Sequence, residues 1–217
     1  MNTIETEHVV IRWAAVSEME NNVYLITAKE TGSQVLIDAA DDIEAIERLV
    51  SAGAEDTEAQ PELRAIITTH RHWDHIRALP AASAKYPEAM TIAGADDAQA
   101  IAEAEDVEIV HTVDHLDVGD FGGFVLQAIT LRGHTPGSIA LLLRDGGRTV
   151  LFSGDSLFPG GPGKTWSKDD FTSLMDDLEE RVFAELPDDT LVLPGHGDST
   201  MLGEERPKLG EWRERGW

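Results

Sequence analysis

The chain has 217 residues, enough to bury a substantial core, and reads as one domain over 1–217 with a short tail over about 201–217. It contains no cysteine, which excludes a disulfide framework, a thiolate ligand and a cysteine nucleophile. Its 17 Lys and Arg against 41 Asp and Glu give a formal net charge of -24, a field that repels nucleic-acid phosphate.

No apolar run approaches the length of a membrane span, and Met1-Asn2-Thr3-Ile4-Glu5 lacks the basic head and apolar stretch of a secretory signal. The expectation is a cytoplasmic enzyme acting on a small molecule, away from membranes and nucleic acid, with its oligomeric state open. Val9 to Trp13, Val23 to Thr27 and Val35 to Ile37, rich in Val and Ile between polar turns, read as strands. Ile43, Ile46, Leu49 and Val50 stand at helical spacing between Asp41-Asp42 and Gly53, which predicts a helix over Ile43 to Ala52. Leu63 to Thr68 is a short buried strand. Ile76 to Tyr86 predicts a helix with Pro80 near its first turn. Met90 to Ala93 reads as a strand and Asp96 to Ala104 as a helix.

The second half repeats the recipe. Strands are expected at Phe124 to Leu131, Ser138 to Arg144, Thr149 to Phe152 and Leu191 to Leu193. A helix is expected over Asp170 to Glu185, with Phe171, Leu174, Leu178, Val182 and Phe183 on one side. Two β-rich halves, each followed by helix, predict an α/β fold, an αββα sandwich with the chemistry between the sheet edges. The acidic tracts Asp38 to Glu47 and Glu103 to Glu108 read as solvated helix faces and loops. The tail reads as an amphipathic cap in which Trp212 and Trp217 cover apolar surface or an oligomer contact.

One run carries most of the chemistry: Thr69-His70-Arg71-His72-Trp73-Asp74-His75. Three imidazoles and a carboxylate within six residues form a set that zinc, manganese or iron accepts. In an extended segment His70 and His72 project to one side, and Asp74 and His75 lie past the turn, where they can face a second ion. Further candidates are His134, Asp155 and His196. Each follows an apolar strand-like run and sits beside glycine, the layout that gathers ligands at strand ends in α/β sheets.

The pattern His-x-His-x-Asp-His, Gly-His-Thr-Pro-Gly-Ser, Gly-Asp-Ser-Leu-Phe and Pro-Gly-His-Gly resembles the metallo-β-lactamase superfamily of metal-dependent hydrolases. The likeness runs from about Asn21 to His196 and implies that family's four-layer αββα sandwich. It also implies two divalent ions, zinc before iron or manganese. His70, His72 and His134 would hold the first, Asp74, His75 and His196 the second, and Asp155 would bridge. A metal-bridging hydroxide would attack an activated acyl bond, with Asp74 taking or delivering a proton. The absence of cysteine speaks against the lactam-cleaving branch with a cysteine in its second site.

Gly154-Asp155-Ser156-Leu157-Phe158 and the turn ending Gly163-Lys164 resemble glyoxalase II, the hydroxyacylglutathione hydrolases. That likeness implies thioester or related ester hydrolysis, with Lys164 meeting an anionic thiol carrier. Asp198 stands where that family has tyrosine, and only about twenty residues follow His196 where that family has a helical domain. The thiol carrier is therefore left open. Three other readings stand beside this one: a lactonase, a persulfide dioxygenase with a single iron on His70, His134 and Asp155, and a non-catalytic binding protein on the same fold. Trp73 either walls the pocket or packs beneath the metal loop. Arg71 and Arg77 are candidates to hold carboxylates behind the ligands. His8 reads as a surface residue on the first strand, and His111 and His115 as surface or loop histidines.

Overall fold

The computed structural model describes residues 1–216; Trp217 and the role expected of it lie outside the described residues. Among the described residues the first sheet contains seven strands that neighbour one another in chain order. They are β1 (Asn2–Glu5), β2 (Val9–Val16), β3 (Asn21–Ala28), β4 (Ser33–Ile37), β5 (Glu62–Thr68), β6 (Met90–Gly94) and β7 (His111–Val113). The pairs from β1 to β4 are antiparallel and those from β4 to β7 parallel. Parallel neighbours need crossovers, here α1 (Ile43–Ala52), the pair α2 (Trp73–Ile76) and α3 (Leu79–Lys85), and α4 (Ala95–Glu105).

The second sheet opens with β8 (Val118–Asp120), β9 (Val125–Thr130), β10 (Ile139–Asp145) and β11 (Arg148–Gly154). A small hairpin follows, β12 (Leu157–Phe158) with β13 (Gly161–Pro162), and then α5 (Lys168–Leu178). β14 (Leu191–Pro194) returns parallel to β11, and β15 (Thr200–Met201) forms the edge. The short helices α6 (Leu202–Glu205) and α7 (Leu209–Arg215) close the chain.

Period-two alternation makes the layers. In β10, Leu141 and Leu143 face the other sheet and join Ile11, Ile26, Ile67, Phe152 and Leu193 in the central core. Ala140 and Leu142 face outward onto Leu174, Leu178 and Trp212. On the far side Leu25, Leu36 and Ile66 pack against Ile46, Leu49, Leu79 and Ile101 of the first helical layer. Two sheets, helices outside each, and three apolar layers are the expected αββα sandwich, and the candidate ligands follow the ends of strands from both sheets.

Several elements depart from the sequence reading. The helix expected over Ile76 to Tyr86 is two helices, because the Ala78 N–H donates to Ala39 O at 3.0 Å and Pro80 takes the first turn of α3. The helix expected from Asp170 begins at Lys168, with Ser167 capping it. It ends at Leu178 and continues as a wider π-turn over Glu179–Phe183. β1, β7, β8, β15 and the β12–β13 hairpin were not legible; each is short and forms through a neighbour's edge. His8 precedes β2 instead of lying on it, and its Nδ1 lies 2.6 Å from Asp145 Oδ1. Asp38 contradicts its reading as solvated surface: it is 1 % exposed. Among the described residues no helix is long and apolar enough to cross a membrane.

The tail is part of the core. Trp212 is buried, edge-on to Phe183 at 6.2 Å, while Arg213 pairs with Glu179 and Asp176 from the same helix. Trp212→Ala is expected to lower unfolding stability by about 3–5 kcal/mol, the range for deleting a fully buried aromatic. Chemical denaturation checks this, and a loss under ~1 kcal/mol would mean the tail is only laid on the surface.

Candidate metal centre

Every predicted ligand arrives at one end of the sandwich. His70 and His72 follow β5, Asp74 and His75 lie on α2, His134 follows β9, Asp155 follows β11 and His196 follows β14. Among the described residues three groups bring their ligand atoms within 4.8 Å of one another: His70, His72, His134; His70, His75, Asp155; and Asp74, His75, His196. Asp155 stands between the two ends. Its Oδ2 lies 3.6 Å from His134 Nε2 and 3.4 Å from His196 Nε2, and its Oδ1 lies 3.4 Å from His75 Nε2.

Four rings are aimed from behind. His75 Nδ1 lies 2.9 Å from Asp38 Oδ2, His134 Nδ1 donates to Lys164 O at 2.7 Å, and His196 Nδ1 donates to Met19 O at 2.8 Å. The Thr69 hydroxyl donates to Asp38 Oδ2, so it is free to accept from His70 Nδ1 at 3.0 Å. With the Nδ1 protons occupied, the Nε2 atoms face inward. His134 Nε2 is 3.3 Å from His70 Nε2, and His75 Nε2 is 3.1 Å from His196 Nε2.

The turn that carries His196 is clamped by β3. Asn22 Nδ2 and the Tyr24 hydroxyl both donate to Pro194 O, and Asn22 N–H donates to Gly195 O. Asn21, fully buried, donates to Asp74 Oδ2 at 3.0 Å. Close approach demands glycine at two points. A Cβ on Gly195 would lie 2.2 Å from Asp155 Oδ1, and one on Gly163 would lie 1.7 Å from the Asp155 carbonyl oxygen.

The electrostatics divide the cluster. Burial holds His70 well below the usual imidazole range and also lowers His72 and His134, so these three rings are neutral electron-pair donors. At the other end burial also opposes charge, but carboxylates overcome it: Asp38 and Asp155 hold His75 at about 10, and Asp155 and Asp74 hold His196 at about 10. Burial pushes the carboxyls of Asp74 and Asp155 up. Hydrogen bonds from His196 and Asn21 to Asp74, and from His196 and His75 to Asp155, bring both well below their usual range. Asp155 Oδ1 is nonetheless a buried oxygen with no well-formed hydrogen bond, its facing nitrogen, His75 Nε2, being 3.4 Å away. Inward-facing imidazole nitrogens, two ionised carboxylates and one orphaned oxygen form a donor set that fits divalent cations.

Other sequence candidates fall into place around the centre. Lys164 is exposed, with Nζ 4.3 Å from the Trp166 ring centroid; that ring stands edge-on 6.2 Å from His72. Trp73 is 55 % exposed with the Arg77 guanidinium 4.0 Å from its ring, so it does not pack beneath the metal loop. Arg77 pairs with Asp41, and Arg71 approaches Asp97. His111 and His115 belong to none of the ligand groups. Sequence reasoning missed Asn21, Asp38 and Asp97. For Asp38 the available signal was an acidic residue directly after a buried strand, the same layout that marks Asp155.

The "Hydroxyacylglutathione hydrolase" of Thermosynechococcus vestitus is 31% identical over 180 residues, which cover 82% of this chain and 64% of that protein. This chain thus spans less than two thirds of that relative's length. Among solved structures, ETHE1 from Myxococcus xanthus is 32% identical, with a TM-score of 0.74 and coverage of 90% of this chain and 81% of the other. TTHA1623, solved in a di-iron-bound form, is 28% identical with a TM-score of 0.64, covering 90% and 96%. The family model described as "Metallo-beta-lactamase superfamily" matches residues 17–196, from before β3 to the last histidine of the centre, and the chain belongs to that superfamily.

Proposed function

We propose that the protein is a binuclear metal-dependent hydrolase that cleaves a small acyl thioester or a related ester. The observation that carries this reading is the place of Asp155, whose carboxylate reaches both ends of one imidazole cluster: Oδ2 lies near His134 and His196, and Oδ1 near His75. His70, His72 and His134 would hold one ion, Asp74, His75 and His196 the other, and Asp155 both. Two bound cations would lower the pKa of a water to about 7 and polarise the acyl carbonyl. Asp74, kept ionised by His196 and Asn21, would take or deliver the proton. The likeness to a hydroxyacylglutathione hydrolase supports a thioester substrate.

Protein from metal-replete medium is expected to carry close to two ions per chain and to hydrolyse 2-hydroxyacyl thioesters without consuming oxygen. His134→Ala should deplete mainly one ion, and Asp155→Ala should disturb both. Absence of metal after growth and titration would end the reading. The likeness to ETHE1 favours one alternative, a mononuclear iron persulfide dioxygenase using His70, His134 and Asp155. One bound iron with oxygen uptake on a persulfide would select it, and turnover of lactones alone would select a lactonase.

Lys164 is proposed to meet an anionic part of the substrate, because it stands beside Trp166 at the His72 rim of a strongly acidic protein. A partly desolvated charge-assisted contact is worth roughly 1.5–3 kcal/mol. Lys164→Ala should therefore raise KM for an anionic thioester about ten- to hundredfold with kcat and metal content nearly unchanged. An unchanged KM would make it a plain surface lysine.

Metal uptake should also release protons unequally. His75 and His196 have raised pKa values, so at neutral pH they hold charge that a cation must displace. Their facing nitrogens, 3.1 Å apart, have room for one shared proton. The other three rings are lowered and bring no proton to neutral pH. Affinity at the Asp74 end should therefore fall as pH drops below about 10, while the His134 end stays flat down to the ordinary histidine range. Calorimetric titration in buffers of different ionisation enthalpy should find about one proton released at the Asp74 end and none at the His134 end.

A further inference from the structure

The two ends of the centre are unequal in charge. The Asp74 end has its own carboxylate, with Asp38 behind His75. The other end has three neutral imidazoles and only a share of Asp155. Behind those imidazoles lies a carboxylate that the proposed chemistry does not use. Asp97, in the first turn of α4, is fully buried. Its Oδ2 accepts the Arg71 N–H at 3.0 Å and the Thr135 hydroxyl; its Oδ1 accepts the Gly137 N–H at 3.0 Å and lies 3.6 Å from Arg71 Nε.

The partners are placed tellingly in the chain. Arg71 separates His70 from His72, and Thr135 follows His134. One carboxylate therefore ties together the two segments that carry all three imidazoles, one from each sheet. The fit is close: a Cβ on Gly137 would lie 2.3 Å from Asp97 N, and one on Gly94 would lie 2.1 Å from Gly137 O.

We infer that Asp97 is a positioning residue for the His70–His72–His134 half of the centre. It sets the spacing of the two imidazole segments and places behind them the negative charge they lack. The inference rests on the reading of the centre as metal-binding. A carboxylate behind neutral ligands favours the cation-bound state and holds the rings where one ion meets all three. Asparagine keeps the shape but loses the charge. Its one carbonyl oxygen can replace only one of the two carboxylate oxygens, and its NH2 then meets an N–H group where the other oxygen accepted.

The test measures two stepwise cobalt(II) affinities on the full chain, stripped of metal and titrated against a competing chelator. His134→Ala identifies the step that belongs to this half. Asp97→Asn is expected to weaken that step about ten- to hundredfold, the usual cost of losing a partner behind a metal ligand. The other step should stay within about twofold, while the metal-free protein melts somewhat lower, because the buried amide meets N–H groups. Thr135→Val, which deletes one of the contacts, should weaken the same step to a smaller degree, and Thr135→Ser should restore it. Equal weakening of both steps, or a lower melting temperature with both affinities intact, would show that Asp97 only braces the fold. A wild-type protein that takes up no cation would overturn the reading of the centre and this inference together.

Discussion

Four imidazoles point their Nε2 atoms into one small volume with Asp155 between them, and that crowding is the constraint from which the rest follows. Nitrogen lone pairs 3.1 to 3.3 Å apart repel unless a proton or a cation lies between them. The protein meets this cost differently at its two ends. Carboxylates keep protons on His75 and His196, whereas burial, aided by the neighbouring imidazoles, strips them from His70, His72 and His134. The centre is thus organised as a cation site before any ion enters.

Holding such a cluster needs a frame that does not relax, and the sandwich supplies one from both sides. β5 and α2 of the first half deliver His70 to His75, while β9, β11 and β14 of the second deliver His134, Asp155 and His196. Cross-sheet clamps lock the halves in register. Tyr24 and Asn22 of β3 hold the Pro194–Gly197 turn, and Ile139 N–H of β10 donates to Thr69 O. Asp38 adds a support within the first half. Its carboxylate takes the Thr69 backbone and hydroxyl and lies against His75, so one side chain steadies both ends of the first ligand run.

The surface carries a different message from the centre. Most of the excess acid is exposed, but several buried carboxylates serve the centre: Asp38, Asp74 and Asp97 support or form the cluster, and Asp177 anchors Arg132 just before His134. Buried charge survives only when donors surround it. These residues are accordingly the ones whose partners lie far away in the chain.

Much of this was legible in the sequence. The seven candidate ligands announced themselves through local rules: imidazoles and a carboxylate packed into six residues, and apolar runs ending in glycine beside a polar residue. The sandwich followed from apolar strand-like runs between polar turns and from helical spacing in α1 and α5. Helix boundaries failed where distant backbone intervened, as when Ala39 captured the Ala78 N–H and broke a helix that periodicity alone would continue. Asn21, Asp38 and Asp97 were invisible for a related reason. An Asp in an acidic tract looks the same whether water or Thr69 and His75 surround it; only the folding of β4 against β5 removes the water and brings the donors. Ligand identity is a property of side-chain chemistry, which the sequence determines by itself. Ring orientation, proton placement and the outer carboxylates depend on contacts between residues 26 to 40 positions apart or more, and tertiary structure alone decided them.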